Sequence, residues 1–531
     1  MRGLLKGALA ASVLVTLVLT GCSSPEPEEG GGAPAELVVG STDPVPNLTP
    51  GRQSNAFGLT LSIFSPLTFL DGDGELSYLA AESVESDDQI DWTITLRDGW
   101  TFHDGTPVTA QDYVDTWNTV AYGPNAFENS GQLSVIEGYA DLNPTEGEPT
   151  TDELSGLAVV DDLTFTVTLE RADSQFPIEL SQAQTAFYPM PQSAFDDLEA
   201  YGEQPIGNGP LMLSAAWTEG EPIVAERYAD YAGDEPTVDK ITWVPYTDRL
   251  TAYTDALAGN VDITWLPATR MRQVTDDFDE ENIYSFAAPG ISYLGIPYWD
   301  ARFDDIRVRQ AISMAIDREA INDALFGDLN APATAWTPSI MPGNPDGICG
   351  EFCEYDPEAA AALLEEAGGF EGQLTLHFPG GAGHDDLYNA MANSLRQNLG
   401  IDAIAKPSVG WAEFGQDRNN QVLDGPFFSR WGALYPSQQS TLRAMFSAAP
   451  NCNNCGGEPN PDVDAALNEA DATGTEDGTA YAKAQELIAE QFPIIPLFEE
   501  SYSYVTSDRI AGLTASAVGE PILTQVVLAE D

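Results

Sequence analysis

The sequence predicts a mixed α/β protein built in more than one lobe. Three observations carry this reading: apolar residues alternate cleanly between residues 90 and 170, strands alternate with helices in the second half, and the chain is long. Without an N-terminal leader roughly 510 residues remain, which exceeds one ordinary domain and implies two or three lobes.

Ordered sequence begins near Glu36, where Leu37, Val38, Val39 and Gly40 read as a buried strand. Trp92, Ile94 and Leu96 point one way along a second strand, and Leu163, Phe165, Val167 and Leu169 repeat the period of two. A helix is predicted from Thr109, because Asp112 three residues on can bond back to the first free N–H as a capping-box acid. Tyr113, Val114 and Trp117 form its apolar face. Farther on, Val308, Ile312, Ala315 and Ile316 make one helical face. Another helix opens with Asp356 as cap and Pro357 in its first turn, carries Leu363 and Leu364, and stops at Gly368-Gly369. A strand at 374–378, a helix bearing Leu387, Met391 and Leu395, and a strand at 401–404 then read as a βαβ unit. No repeat of solenoid length is apparent.

The charge balance is extreme. Against 84 acidic residues stand 21 basic ones, for a net charge of −63. Such a surface repels phosphates, so nucleic acid and anionic headgroups are poor partners. The acids are spread along the chain and read mainly as solvated surface, which a saline habitat or a GC-rich genome would each favour. An apolar content of 43% is enough for a sizeable core.

At the N-terminus, Arg2 and Lys6 accompany an apolar run from Leu4 to Leu19, followed by Leu19-Thr20-Gly21-Cys22 and a polar stretch. That order is a secretory signal. A cysteine directly after the cut resembles the lipobox of bacterial lipoproteins, which implies acylation of Cys22. The expectation is a signal peptide at 1–21, a flexible acidic tether at 22–35, and a mature protein held by lipid on the extracellular face of a cell membrane, or in a periplasm where an outer membrane exists. Of the remaining cysteines, Cys349, Cys353, Cys452 and Cys455, the even count in an exported chain favours disulfides, with the local pairs 349–353 and 452–455 preferred. A four-thiolate zinc site is the competing reading of the CxxxC and CxxC spacings.

Catalytic motifs are not found. The three histidines, His103, His377 and His384, lie in no HExxH, and no GxSxG, Walker loop or GxGxxG occurs. His384-Asp385-Asp386 opens a helix after a glycine-rich turn and reads as capping rather than metal ligation. The stretch from Asp71 to Glu82 has Leu76 where a calcium loop needs glycine, so it reads as an ordinary turn. No cofactor is expected, and the chain is not read as an enzyme.

Residues 79–88 followed by Trp92-Thr93-Ile94-Thr95-Leu96-Arg97-Asp98-Gly99-Trp100-Thr101-Phe102-His103-Asp104-Gly105-Thr106-Pro107-Val108-Thr109-Ala110 closely resemble the signature of the oligopeptide, dipeptide and nickel family of solute-binding proteins, the receptors of ABC importers. Further blocks agree in order: Gly207-Asn208-Gly209-Pro210 with 226–231, then 258–263, then Phe303 to Arg318, then Asn460 to Asp464 with Phe492 to Leu497. The resemblance implies a periplasmic-binding-protein-like fold, with two α/β lobes, a hinge cleft and an inserted extra lobe. Lobe I would hold 36–75, 191–290 and 501–531, the inserted lobe II 76–190, and lobe III 291–500, with hinge crossings near 290 and 500. His103 in the signature reads as structural.

By the same resemblance the chain is a monomeric receptor that closes over an oligopeptide or similar extended solute and hands it to permease subunits. A non-peptide solute, such as an oligosaccharide or metal chelate, is the alternative; an extracellular enzyme or a scaffold lipoprotein is a more distant one. Trp411 and Arg418 would line the cleft, Trp431, Gly432, Ala433, Leu434 and Tyr435 would wall it, and the loop Arg52, Gln53, Ser54, Asn55 would reach it. The pattern is broken at Leu434, where peptide binders usually carry an aspartate for the ligand's ammonium. Either another acid reaches that point or the ligand offers no ammonium there; the sequence leans toward the second.

Overall fold

The computed structural model describes residues 35–529 apart from 43–46, 53–56, 73, 183, 185–186, 328, 449–459 and 474–477. The leader with Cys22, most of the tether, Gln53, Ser54, Asn55, Cys452 and Cys455 lie outside the described residues.

An eleven-stranded sheet forms the spine. From one edge it runs Asp402–Pro407, Gln373–Phe378, Phe427–Gly432, Ile283–Gly295, Ile495–Thr506, Ile263–Trp265, Glu36–Ser41, Lys240–Pro245, Ile223–Arg227 and Leu211–Leu213, with Ala331–Pro332 beside Ile495–Thr506. The βαβ unit is present: Gln373–Phe378 and Asp402–Pro407 are parallel, joined by the helix Asp385–Leu399 that buries Met391 and Leu395. The first strand lies parallel to both of its neighbours, Val39 standing opposite Trp243 and Ile263.

Two strands are long, Ile283–Gly295 with 13 residues and Ile495–Thr506 with 12, and both pass through the middle of the sheet. Residues 283–287 pair with 501–505 and residues 291–294 with 495–499. Between Ala287 and Ile291 the register slips, so that Ala288, Pro289 and Gly290 face Glu500 alone. Proline has no N–H for the ladder, which explains a break at this point. The Pro289 carbonyl instead accepts from Ala433 N–H at 2.8 Å.

A separate four-stranded antiparallel sheet, ordered Ala81–Glu85, Asp91–Leu96, Thr164–Thr168 and Leu157–Asp161, buries the alternating residues Trp92, Ile94, Leu96, Phe165 and Val167. The helix Ala110–Ala121 covers it. Thr109 N–H and Oγ1 both donate to Asp112 Oδ2, at 2.8 and 2.7 Å, and fix the helix start. Tyr113 stacks on Phe165 at 5.7 Å between ring centroids, and Trp117 meets Phe165 edge-on at 5.5 Å. Around Trp100 the structure has a single bridge, Thr101 to Pro107. The closely spaced turns at Gly99 and Gly105, both with positive φ, leave no room for a longer ladder.

Hydrophobic packing falls into three large clusters. One is drawn from residues between 67 and 187, one between 291 and 498, and one from 37–64 together with 188–263 and 504–526. Buried polar side chains tie the sequence blocks together. His103 Nδ1 accepts from Gly207 N–H at 3.2 Å and its Nε2 lies 3.1 Å from Gly209 O, joining the 97–110 block to the 207–210 block. Burial pushes this imidazole down to about 4, so the ring is neutral and structural. Arg309 donates to the carbonyls of Phe303, Gln491 and Phe492, and Arg318 to those of Ser313 and Pro496. Asp262 accepts from Val38 N–H, Ser507 and Arg509. These side chains saturate carbonyls and N–H groups that would be costly to bury unpaired. Cys349 and Cys353 form a disulfide. No described helix is long and apolar enough to cross a membrane.

Candidate functional site

The cavity that brings expected site residues together has a volume of about 490 Å³. On one side it is lined by Gln132, Arg171, Glu179 and Gln182, on the other by Trp431, Leu434, Tyr435, Gln439, Ser440 and Arg443, with Asp464 at the rim. The second wall comes from the end of the strand Phe427–Gly432 and the start of the helix Gln438–Phe446. Ser437 caps that helix, donating its hydroxyl to Gln175 Oε1 at 2.8 Å and accepting from Gln439 N–H at 3.2 Å. The first wall includes the short helix Phe176–Glu179.

A buried polar network joins the lining residues to the interior. Asp471 is fully buried and pairs with both Arg443 and Arg171, and accepts from the Tyr481 hydroxyl at 2.8 Å. Asp173 accepts from Gln175 N–H at 2.9 Å and from Gln439 Nε2 at 2.7 Å. The Tyr435 hydroxyl lies 2.9 Å from Glu179 Oε1 and 2.8 Å from Gln439 Oε1. Burial, reinforced by the neighbouring carboxylates, pushes Asp173 up to about 6 and holds Glu179 well above the usual carboxylate range.

Of the residues predicted from sequence, Trp431, Leu434 and Tyr435 line this cavity. Leu434 also borders a small neighbouring cavity with Leu61, Phe69, Ser181 and Val518. Gly432 ends its strand opposite Gly290, and Ala433 is buried. Trp411 is 55% exposed at the start of the helix Trp411–Asn419, edge-on to Phe428 at 5.4 Å. Arg418, seven residues on, is half-buried, and its Nε has no hydrogen-bond partner among the described residues. The Arg52 guanidinium is engaged elsewhere: it donates to the carbonyls of Asn125 and Ala126, meets Glu128 at 3.4 Å and lies over the Phe127 ring. His384 stands at the N-cap position of its helix, its ring 4.4 Å from that of Phe428.

Sequence reasoning missed Arg171, Glu179, Gln182, Gln439 and Arg443. The scarcity of cations was a usable signal, since the few arginines of so acidic a chain readily find carboxylates, as Arg171 and Arg443 find Asp471.

Comparison with known proteins agrees with this fold. The sequence model of the bacterial extracellular solute-binding proteins, family 5 (middle region), matches residues 75–453. The chain is similar to the periplasmic murein peptide-binding protein MppA of Escherichia coli, 26% identical over 449 residues and covering 82% of each chain. It is likewise similar to the periplasmic oligopeptide-binding protein OppA of Salmonella typhimurium, 27% identical over 541 residues and covering 96% of each. In structure it resembles the ABC transporter substrate-binding protein CtaP of Listeria monocytogenes, with a TM-score of 0.79 at 23% identity, over 94% of this chain and 100% of that one. The fold is therefore the mixed α/β, periplasmic-binding-protein-like one.

Proposed function

Because the chain belongs to the family 5 bacterial extracellular solute-binding proteins, whose members bind solutes and are not enzymes, we propose that it is the lipid-anchored receptor of an ABC importer, taking up an oligopeptide or similar extended solute and delivering it to the permease. The observation that carries this reading is the cavity itself. It is walled on two sides by different hydrophobic units, a position typical of ligand sites, and it combines apolar walls at Trp431 and Leu434 with a few buried polar groups.

Lobe I takes residues 36–75, 191–290 and 501–531, lobe II 76–190, and lobe III 291–500, a division supported by the three large hydrophobic clusters, with Leu67 and Tyr188 packing across the boundary of lobes I and II. The slipped register at 288–290 against Glu500 is the hinge, since broken pairing lets the two long strands flex there. Trp411 and Arg418 serve an outer part of the ligand, Arg418 supplying an unsatisfied donor. Lipid on Cys22 holds the monomer at the membrane.

Native mass spectrometry of the protein purified without added ligand tests the reading. A stoichiometric bound mass that fragments as peptide is expected. A sugar or metal chelate would replace the ligand class, and absence of both a bound mass and binding from a peptide mixture would refute the receptor function. Labelled palmitate entering the wild type and not Cys22→Ala checks the anchor.

A further inference from the structure

We infer that Glu179 is the receptor for a ligand ammonium group in this cavity, supplied by a different segment of the chain from the one that carries Leu434. The inference rests on the receptor reading above and concerns its ligand class.

Charge balance is the first argument. Three buried carboxylates, Asp173, Glu179 and Asp471, share the neighbourhood of two guanidinium groups, those of Arg171 and Arg443. Both arginines pair with Asp471. Asp173 is compensated by the Gln175 N–H and the Gln439 amide. Glu179 is left with a phenol.

Proton counting is the second. Gln439 donates its Nε2 to Asp173, which orients its amide so that Oε1 faces Tyr435. The Tyr435 hydroxyl has one hydrogen and two oxygens within reach, Gln439 Oε1 and Glu179 Oε1. Gln439 Oε1 can only accept. With Tyr435 donating there, the contact to Glu179 requires the hydrogen on the carboxyl, so in this arrangement Glu179 is a neutral acid. An entering ammonium displaces that proton to solvent and leaves an ion pair that the cavity otherwise lacks. The charged groups facing Glu179 are Asp173, Asp471 and Arg171, with Tyr435 in contact.

The third observation is independent of the acids. Gln182 lines the same cavity, is 4% exposed, and its Oε1 has no hydrogen-bond partner among the described residues. A buried unpaired acceptor is costly and calls for a donor. An ammonium has three donors, enough for Glu179 and Gln182 together.

The test uses a lysine-free tetrapeptide mixture and the same mixture N-acetylated, with binding to the full chain followed by calorimetry. For the wild type, acetylation is expected to weaken binding by at least about 30-fold, the scale of losing one partner of a buried charge pair. Glu179→Gln, isosteric with the neutral acid, should bind both mixtures within about threefold, scaled to the same loss. Binding of the free mixture by the wild type at pH 7, above the value of about 6 held by Asp173, should also release protons, read from the dependence of heat on buffer, while the acetylated mixture, and Glu179→Gln with either mixture, release none. Equal wild-type affinity for the two mixtures, or undiminished discrimination by Glu179→Gln, would overturn the assignment and leave the receptor reading standing. Binding of neither mixture would overturn the receptor reading and the assignment with it.

Discussion

The Tyr435 phenol oxygen stands 2.9 Å from Glu179 Oε1, joining residues 256 positions apart in the wall of the cavity. Both side chains are buried, and each satisfies a group the other would leave bare. Tyr435→Phe removes the hydroxyl and strands Gln439 Oε1 and Glu179 together. The expected loss of stability is about 1–3 kcal/mol, measured by urea denaturation at neutral pH. An unchanged midpoint would show that solvent replaces the phenol.

Stability should respond to pH through Asp173. Its folded value of about 6 lies above the ordinary 3.8, so the native state holds a proton that the unfolded chain has given up. The stabilising contribution is complete below the unfolded value and is lost as pH rises through the folded one. Asp173→Asn cannot lose that proton. Its stability relative to wild type should therefore improve between about pH 4 and pH 6, and a constant difference across that window in urea titrations would contradict the assignment. His103 acts in the opposite sense: held down near 4, it costs stability as pH falls below its ordinary 6.5.

Arg318 is a structural cation. Its guanidinium is buried and donates to Pro496 O and Ser313 O and to the Ser313 hydroxyl, tying the helix after residue 317 to the long strand at 495–506. Arg318→Met keeps much of the volume but orphans those acceptors, for an expected cost of about 3 kcal/mol or more. Chemical denaturation reads this directly, and ligand affinity of the folded fraction should be unaffected.

The Cys349–Cys353 disulfide closes a loop of a few residues. Its expected contribution is about 2 kcal/mol by loop-closure entropy, confined to its own surroundings. Non-reducing peptide mapping should recover the 349–353 pair, and Cys349→Ala with Cys353→Ala should leave ligand affinity intact. A crosslink from 349 to 455 would defeat the local pairing.

Closure is expected to turn on the break opposite Glu500. Ligand should compact the protein in small-angle scattering and slow hydrogen exchange at 287–291 and 499–501. A ligand that binds tightly without compaction would rule out hinge motion at this place.

Local physics was legible in the sequence. The capping of the helix at Thr109 by Asp112, the Asp356-Pro357 start and the inward alternation of Trp92, Ile94 and Leu96 depend on residues within a few positions of one another, and the βαβ unit at 373–407 on three such segments in succession. Side-chain period and cap chemistry encode such features directly. The ordered blocks also carried the family, because residues such as His103, Asp262, Arg309 and Arg318 hold the scaffold together. What only the tertiary structure decided was how distant polar groups meet. Glu179 was one acid among 84 in the chain. It became a candidate for binding only when folding buried it, set it against Tyr435, and gave both nearby arginines to Asp471. Burial and partner choice set the charge state of a carboxyl group, and neither is a property of neighbouring residues in the chain.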